Sequence, residues 1–196
     1  MIHYHGLPIT PISSAIAAVK NGHSFISFAH AEQLALAIEI TQSFAVDNGA
    51  FSAWKSGKPV SDWVEYYLWV GALHRIPNFD FAVIPDVIDG SEADNDSLLD
   101  EWPWLESAPW IGAPVWHLHE SIERLEKLAQ RFPRVCFGSS GQYAQVGTEK
   151  WWQRMNEAFH AICDKNGYPI CKVHGLRMLN PAIFTKYPFS IMYGST

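Results

Sequence analysis

Cysteine is scarce in this sequence. The three residues Cys136, Cys163 and Cys171 form no CxxC pair and no Cys/His quartet. A disulfide framework needs paired cysteines and a structural zinc site needs closely spaced ligands, so neither is predicted. We expect reduced thiols in the core, and neither a cofactor nor a resident metal.

Long apolar runs are also missing. No stretch approaches the ~20 residues that a membrane-spanning helix needs, and the N-terminal residues lack the basic-then-apolar pattern of a secretory signal. We therefore expect a cytoplasmic protein with no membrane partner.

Positive charge is in short supply, with 14 Lys and Arg against 20 Asp and Glu and a formal net charge of −6. A sequence-independent nucleic-acid binder normally has a basic surface, so this balance argues mildly against one. An enzyme with a local basic rim remains compatible with it. With 48% hydrophobic residues in 196, we expect one globular domain spanning residues 1–196. No oligomeric state is indicated.

Short apolar stretches alternate with helix-like stretches along the chain. This alternation predicts an α/β fold with about seven or eight parallel strands joined by helical crossovers. We expect a small (β/α)8 barrel of the TIM type, complete or incomplete, with an open flavodoxin-like sheet as the alternative. The predicted strands are 1–6, 24–28, 44–46, 79–84, 113–116, 135–137, 170–173 and 189–192; the predicted helices are 11–20, 31–40, 61–75, 91–101, 121–132, 148–165 and 181–186.

Polar or glycine-rich residues follow these strands repeatedly, where the strands end. Because the carboxyl ends of parallel strands share one face, the pattern predicts an active site there. The segments concerned are Asp47-Asn48-Gly49, Asp86 with Asp89, His117-Leu118-His119-Glu120, Gly138-Ser139-Ser140-Gly141 and His174-Gly175.

Asp47 and Asp86 are the candidate catalytic pair, with Asp89 assisting. Two carboxylates at one rim can have their pKa values pushed apart, so that one donates a proton while the other stays ionised. Cleavage of a glycosidic bond uses such a pair. The alternative is structural: Asp47 in an Asx turn with Gly49 at positive φ, and Asp86 and Asp89 as helix caps.

The histidines and serines allow two interpretations. His117 and His119 point the same way on a strand, so with His174 and Asp86 they could bind a metal, or they could contact a base or sugar. Glu120 is either a ligand contact or a helix-start acid. Ser139 and Ser140 could hold a base or phosphate, or form a plain loop.

Taken in order, several short motifs resemble the tRNA-guanine transglycosylase superfamily. The closest similarity is to phage and bacterial members that exchange 7-deazaguanine bases into DNA. The resemblance implies that Asp47 acts in the chemistry, that Asp86 recognises the base, and that Asn48, Phe51, His117, His119, Glu120, Ser139, Ser140, His174 and Tyr193 bind substrate. The motifs are DNGAFSAW (47–54), PDVIDG (85–90), WHLHES (116–121), GSSG (138–141), VHGLRM (173–178) and YPF (187–189).

Two departures from that family change the expected reaction. The tRNA enzymes have a Cys/His zinc site near the C-terminus, which this sequence does not supply. Their strand after Tyr-Pro-Phe ends in the nucleophilic Asp that forms a covalent ribose intermediate, whereas residues 190–196 (SIMYGST) contain no acid. Base exchange needs that intermediate. Direct hydrolysis does not.

The sequence therefore predicts a DNA glycosylase that flips a modified base into the barrel and hydrolyses its N-glycosidic bond, with phage defence as one setting. RNA stays open as a substrate. Three alternatives remain: base exchange on DNA or tRNA, a metal-dependent hydrolase using His117, His119 and His174, and a barrel that binds nucleic acid without chemistry.

Overall fold

The computed structural model describes residues 2–58, 60 and 62–194, with the backbone alone for 191–194. Its strands are β1 Ile2–Leu7, β2 His23–Ser27, β3 Ser43–Asp47, β4 Phe79–Val83, β5 Gly112–Ala113, β6 Val115–His117, β7 Arg134–Gly138, β8 Lys172–Leu176 and β9 Ile191–Gly194. Its helices are α1 Ile12–Val19, α2 Leu34–Ile40, α3 Ala50–Lys55, α4 Val64–Leu73, α5 Glu92–Asp100, α6 Ile122–Arg131, α7 Glu149–Ile162 and α8 Pro181–Phe184.

All strand pairs are parallel, in the order β5-β4-β3-β2-β1-β9-β8-β7-β6. The predicted α/β class with a parallel sheet is confirmed. The order is sequential except where β9 adjoins β1, and it differs from the 2-1-3-4-5 order of a flavodoxin-like sheet. The carboxyl ends of the strands therefore share one edge.

Pro114 separates β5 from β6. Proline has no backbone N–H, so it interrupts the ladder at this point. Residues before it pair with β4, where Ile84 N donates to Ala113 O at 3.0 Å. Pro114 itself and the residues after it pair with β7, beginning where Cys136 N donates to Pro114 O at 2.8 Å. The stretch 113–116, predicted as one strand, thus hydrogen-bonds to β4 through its first part and to β7 through its second part.

The strands are buried on both faces, which explains their near-continuous apolar character. Along β4, Phe81 and Val83 pack in one cluster while Ala82 packs in another. The first, here called the strand cluster, consists of strand residues alone: Tyr4, Phe25, Ala45, Phe81, Val83, Ala113, Val115 and Cys136. The second joins the other strand faces to the helices, and includes Trp116, Phe137, Trp151 and Phe159.

Hydroxyl side chains cap three helices, as side-chain oxygens at N-cap positions commonly do. Ser121 Oγ accepts from Arg124 N at 3.1 Å, as predicted for α6. Ser91 caps α5 in a capping box with Asp94, and Thr148 caps α7. The caps of α5 are therefore not Asp86 or Asp89.

Several helices differ from the predicted ones: α2 begins at Leu34 instead of residue 31, and α7 ends at Ile162 instead of residue 165. Helix α3 was expected to be loop, and its origin is described with the site below. Helix α4 begins at Val64, and the predicted helix start at residue 61 lies outside the described residues.

A partly buried ion pair lies at the amino ends of the strands, opposite the predicted site. Arg134 Nη2 donates to Asp80 Oδ1 at 3.0 Å, and Tyr4 OH donates to Asp80 Oδ2 at 2.5 Å. The Arg134 guanidinium also lies 4.0 Å from the centroid of the Phe81 ring. These contacts place charge at the base of the strand cluster and leave the carboxyl ends open.

The cysteines are free thiols, with Cys136 and Cys171 buried. Burial raises the pKa of Cys171 to about 11. Among the described residues, no helix combines the length and apolar composition that crossing a membrane requires.

Candidate active site

A cavity of about 340 Å³ opens at the carboxyl ends of the strands. Its size falls within the range of small-molecule sites, about 300–1,000 Å³. Six side chains predicted from the sequence line it: Asp47, Asn48, Phe51, Asp86, His117 and Ser139.

Asp86 is held by a donor on each of its carboxylate oxygens. Asn48 Nδ2 donates to Oδ1 at 2.7 Å, and His117 Nε2 donates to Oδ2 at 3.0 Å. All three side chains are buried, with exposures of 8% for Asp86 and 2% for Asn48 and His117. Because both oxygens accept charge-assisted hydrogen bonds, the carboxylate is fixed in position.

Asp47 has a different environment. Its Oδ2 accepts from Gly49 N at 3.0 Å and from Ser27 Oγ at 3.3 Å. Burial, followed by the negative charge of Asp86, raises the pKa of Asp47 to about 6, against opposing effects of Gly49, Ser27 and Arg177. Two carboxylates in one cavity thus differ in hydrogen bonding, as an acid and its partner must.

The turn after β3 explains how Asp47 and Asn48 come to face the cavity. Gly49 has φ +81°, and a Cβ there would lie 3.2 Å from Ala29 Cβ and 3.3 Å from Ala29 N, so a side chain would be strained and crowded. Asn48 Oδ1 accepts from Ala50 N at 2.7 Å at the start of α3. The Asx-turn interpretation therefore holds alongside the position of Asp47 in the cavity.

Glu120 holds the backbone of His117 in place. His117 N donates to Glu120 Oε2 at 2.8 Å, and Arg124 Nη1 donates to the same oxygen at 2.8 Å. Asn95 Nδ2 donates to Glu120 Oε1 at 2.9 Å. Glu120 is 2% exposed and does not line the cavity. The structure places it as a buried anchor for the strand end.

His119 joins three strand-end loops outside the cavity lining. Its Nδ1 lies 2.7 Å from Ser140 Oγ and its Nε2 lies 3.1 Å from Gly90 O. Its ring stacks on that of His117, with centroids 5.7 Å apart. The two rings share a side as the spacing predicted, but only His117 lines the cavity.

The Gly-Ser segment after β7 forms another part of the wall. Trp151 Nε1 donates to Ser139 Oγ at 3.0 Å, which positions Ser139 beside the cavity. A Cβ on Gly138 would lie 3.1 Å from His117 Nδ1, so His117 would have to shift slightly to make room for it. Ser140 is buried against His119 and does not line the cavity.

Three other predicted residues lie elsewhere. His174 is fully buried between Phe25 and Phe81, at centroid distances of 5.2 and 5.4 Å. Burial, followed by the charge of Arg134, lowers its pKa to about 3. Asp89 is exposed and accepts from Trp54 Nε1 at 2.8 Å. Tyr193 belongs to β9, whose side chains lie outside the described part.

His117 and His119 stack on each other, whereas His174 lies between the rings of Phe25 and Phe81. Within the described residues, no three His, Cys, Asp or Glu side chains form a group that could hold a metal ion. The arrangement that the metal-hydrolase alternative requires is therefore not formed by these three histidines.

Five polar residues that were not predicted also line the cavity: Ser27, His30, Ser52, Lys55 and Arg177. Ser27 ends β2, so the rule that found Asp47 and Asp86 would have found it too. Lys55 was missed because α3 was not predicted. Arg177 follows β8 within the VHGLRM motif, but was not singled out from the sequence as a site residue.

Comparison with protein-family models, with curated proteins and with solved structures found no match to this chain.

Proposed function

We propose that the protein is a DNA glycosylase that hydrolyses the N-glycosidic bond of a modified base. The observation that carries this proposal is the carboxylate pair in one cavity: Asp86 with a donor on each oxygen, and Asp47 with a pKa raised to about 6. The two residues have the environments that an acid and an ionised partner need.

In this reaction Asp47 is the general acid. It protonates the leaving base as the bond between the base nitrogen and C1′ breaks, and that bond's electron pair stays on the nitrogen. Asp86 stabilises the developing positive charge on the sugar and takes a proton from the attacking water, whose oxygen bonds to C1′. Exchange with solvent returns a proton to Asp47 and removes one from Asp86. The products are the free base and an abasic sugar.

The surroundings of Asp86 suit this role. Asn48 and His117 are themselves positioned, Asn48 by its bond to Ile84 O at 2.9 Å and His117 by the Glu120 anchor. The carboxylate therefore needs little reorganisation when charge develops on the sugar.

A modified base is favoured as the substrate because a second cavity adjoins the first. A second cavity of about 280 Å³ shares Asp86 and Ile88 with the first, and Trp54 and Trp63 also line it. A substituent on a base bound at Asp86 could extend into this largely apolar space.

The strand pairing supports a closed barrel as the scaffold. Counting β5 and β6 as one strand interrupted at Pro114 gives eight strands, and this strand bonds to β4 on one side and β7 on the other. The strand cluster also joins Val83, Ala113, Val115 and Cys136, from both ends of the strand order. Closure would bring all the strand ends around one cavity, as in TIM-type enzymes.

The resemblance to the transglycosylase superfamily supports the same substrate class. Five of its six motifs supply residues to one cavity, among them Asp47, Asp86, His117, Ser139 and Arg177. Since residues 190–196 contain no acid, hydrolysis is favoured over exchange, and defence against phages with modified DNA is the setting we propose.

Incubation with DNAs carrying natural and modified bases tests the proposal, with alkali cleavage for abasic sites and mass analysis of released bases. We expect release from at least one modified DNA by the wild type and loss of release in Asp47→Asn and Asp86→Asn. Asp89→Asn is the matched control, because Asp89 lies outside the cavity lining. Release that persists in both cavity variants would overturn the proposal. Incorporation of an added free deazaguanine into the DNA would show that the reaction is base exchange and not hydrolysis.

A further inference from the structure

The cavity has basic residues at its opening. His30, Lys55 and Arg177, here called the mouth residues, line the same cavity as Asp47 and Asp86. All three are exposed, whereas Asp86, Asn48 and His117 are buried. Charge is therefore segregated by depth, with the carboxylates inside and the basic side chains at the solvent side.

Phe51 contacts Arg177 and lies about one helical turn before Lys55. The Arg177 guanidinium carbon lies 3.3 Å from the centroid of the Phe51 ring, as expected for a cation stacked on an aromatic face. Lys55 follows Phe51 by four residues in α3, so the two share a helix face. Arg177 also acts on the catalytic pair, because its charge contributes to lowering the pKa of Asp47.

The backbone at Arg177 reinforces this placement. Its φ of 55° lies in the left-handed region, which non-glycine residues rarely adopt. Such conformations are retained where surrounding structure fixes them, frequently at ligand sites. Here the turn follows β8 directly and brings the guanidinium over Phe51 at the cavity opening.

The chemistry of the mouth identifies a ligand group. In a chain with a net charge of −6, basic side chains beside an opening favour an anion there. A base rotated out of a nucleic acid enters a pocket while its flanking phosphates remain at the rim. A free base or nucleoside has no charge at that position.

We infer that His30, Lys55 and Arg177 bind the phosphates that flank the nucleotide whose base enters the cavity. The substrate is therefore a position within a DNA strand, and a free nucleoside is a poor substrate. This inference rests on the proposed function and adds to it a site for the phosphates that flank the reacting nucleotide.

Salt-dependent binding tests the inference without requiring turnover. The probe is a fluorescein-labelled single-stranded DNA with a central tetrahydrofuran abasic analogue, measured by anisotropy over a range of NaCl concentrations. For single strands, each phosphate contact contributes about −0.7 to the slope of log K against log salt. We expect Lys55→Ala and Arg177→Gln each to reduce the slope by about 0.7. Lys20→Ala is the matched control, because Lys20 is an exposed lysine at the opposite ends of the strands, and its slope should equal that of the wild type.

The outcomes separate this inference from the glycosylase proposal. Equal slopes in the wild type, Lys55→Ala and Arg177→Gln would overturn the phosphate site, whatever base release shows. Reduced slopes without base release from any DNA would support the phosphate site while the hydrolysis proposal fails. Tighter binding of an RNA of the same length would overturn the assignment to DNA.

Discussion

Asn48 Nδ2 donates to Asp86 Oδ1 at 2.7 Å, and this bond joins the ends of β3 and β4. Asn48 Nδ2 also bonds Ile84 O, and Asn48 Oδ1 accepts from Ala50 N. One amide thus positions a carboxylate, satisfies a strand-end carbonyl and begins α3. The motif that contains Asp47 and the motif that contains Asp86 are therefore parts of one hydrogen-bonded unit.

Asn48→Ala should destabilise the fold and impair the site together. It leaves buried groups of Ala50 and Ile84 unsatisfied, which costs about 1–3 kcal/mol in the free energy of unfolding. Urea unfolding measures this loss, and Asn166→Ala, an exposed asparagine in the turn after α7, should change the free energy of unfolding by less than about 0.5 kcal/mol. Equal stability of Asn48→Ala and the wild type would contradict the role assigned to this amide.

The raised pKa of Asp47 predicts a pH-dependent effect of Asp47→Asn on stability. An acid with a pKa of about 6 when folded and an ordinary value of 3.8 binds its proton more tightly in the folded state. Its contribution to stability is present below 3.8 and is lost as pH rises through 6. The asparagine variant does not ionise. Its free energy of unfolding relative to that of the wild type should therefore rise by up to roughly 3 kcal/mol by pH 7.5.

Urea unfolding of both proteins at several pH values from about 4 to 7.5 checks this expectation. The difference in the free energy of unfolding should grow between pH 4 and 6 and then level off. A difference that stays constant over this range would show that the pKa of Asp47 is not raised in the folded protein.

Substitution by alanine should lower the stability of the fold at Gly112 and raise it at Gly71. A Cβ at Gly112 would lie 2.6 Å from Trp102 Nε1 and 2.8 Å from Ile84 Cδ1, so overpacking should destabilise the fold by about 1–3 kcal/mol. A Cβ at Gly71, within α4, would meet Trp104 at 3.6 Å, an ordinary contact. Gly71→Ala should stabilise by about 0.5–1 kcal/mol through helix propensity. The melting temperatures of the two variants, measured by thermal unfolding, test this expectation. Equal changes in melting temperature would contradict the packing described at β5.

Much of the fold could be predicted because local signals and burial agree. From Phe81 to Val83 the side chains alternate between two apolar clusters, and Ser121 caps α6 as predicted. Helix α3 was missed because its start depends on Asn48 Oδ1 and on the positive φ of Gly49. Both features also fit a simple turn, and nothing in the local sequence separates the two.

The sequence could predict that the site lies at the strand ends, but not which side chains there face the cavity. Asp47, Asp86 and His117 lie together because parallel strands end on one side. His174 was predicted to follow a strand, but β8 runs from Lys172 to Leu176 and has His174 at its middle, with the side chain between Phe25 and Phe81. A shift of one residue along a strand reverses the face of each side chain, so burial at this position depends on register, which the sequence does not specify.

The most direct test of the glycosylase account is the rate of base release from a responsive DNA across pH 5 to 8. The comparison uses the wild type, Asp47→Asn and Asp89→Asn. With Asp47 as the proton donor, the wild-type rate should fall about tenfold per pH unit above pH 6, and Asp47→Asn should be about 10²–10⁴-fold slower. Asp89→Asn should match the wild type. Release by Asp47→Asn at the wild-type rate, or no release from any DNA, would contradict the account.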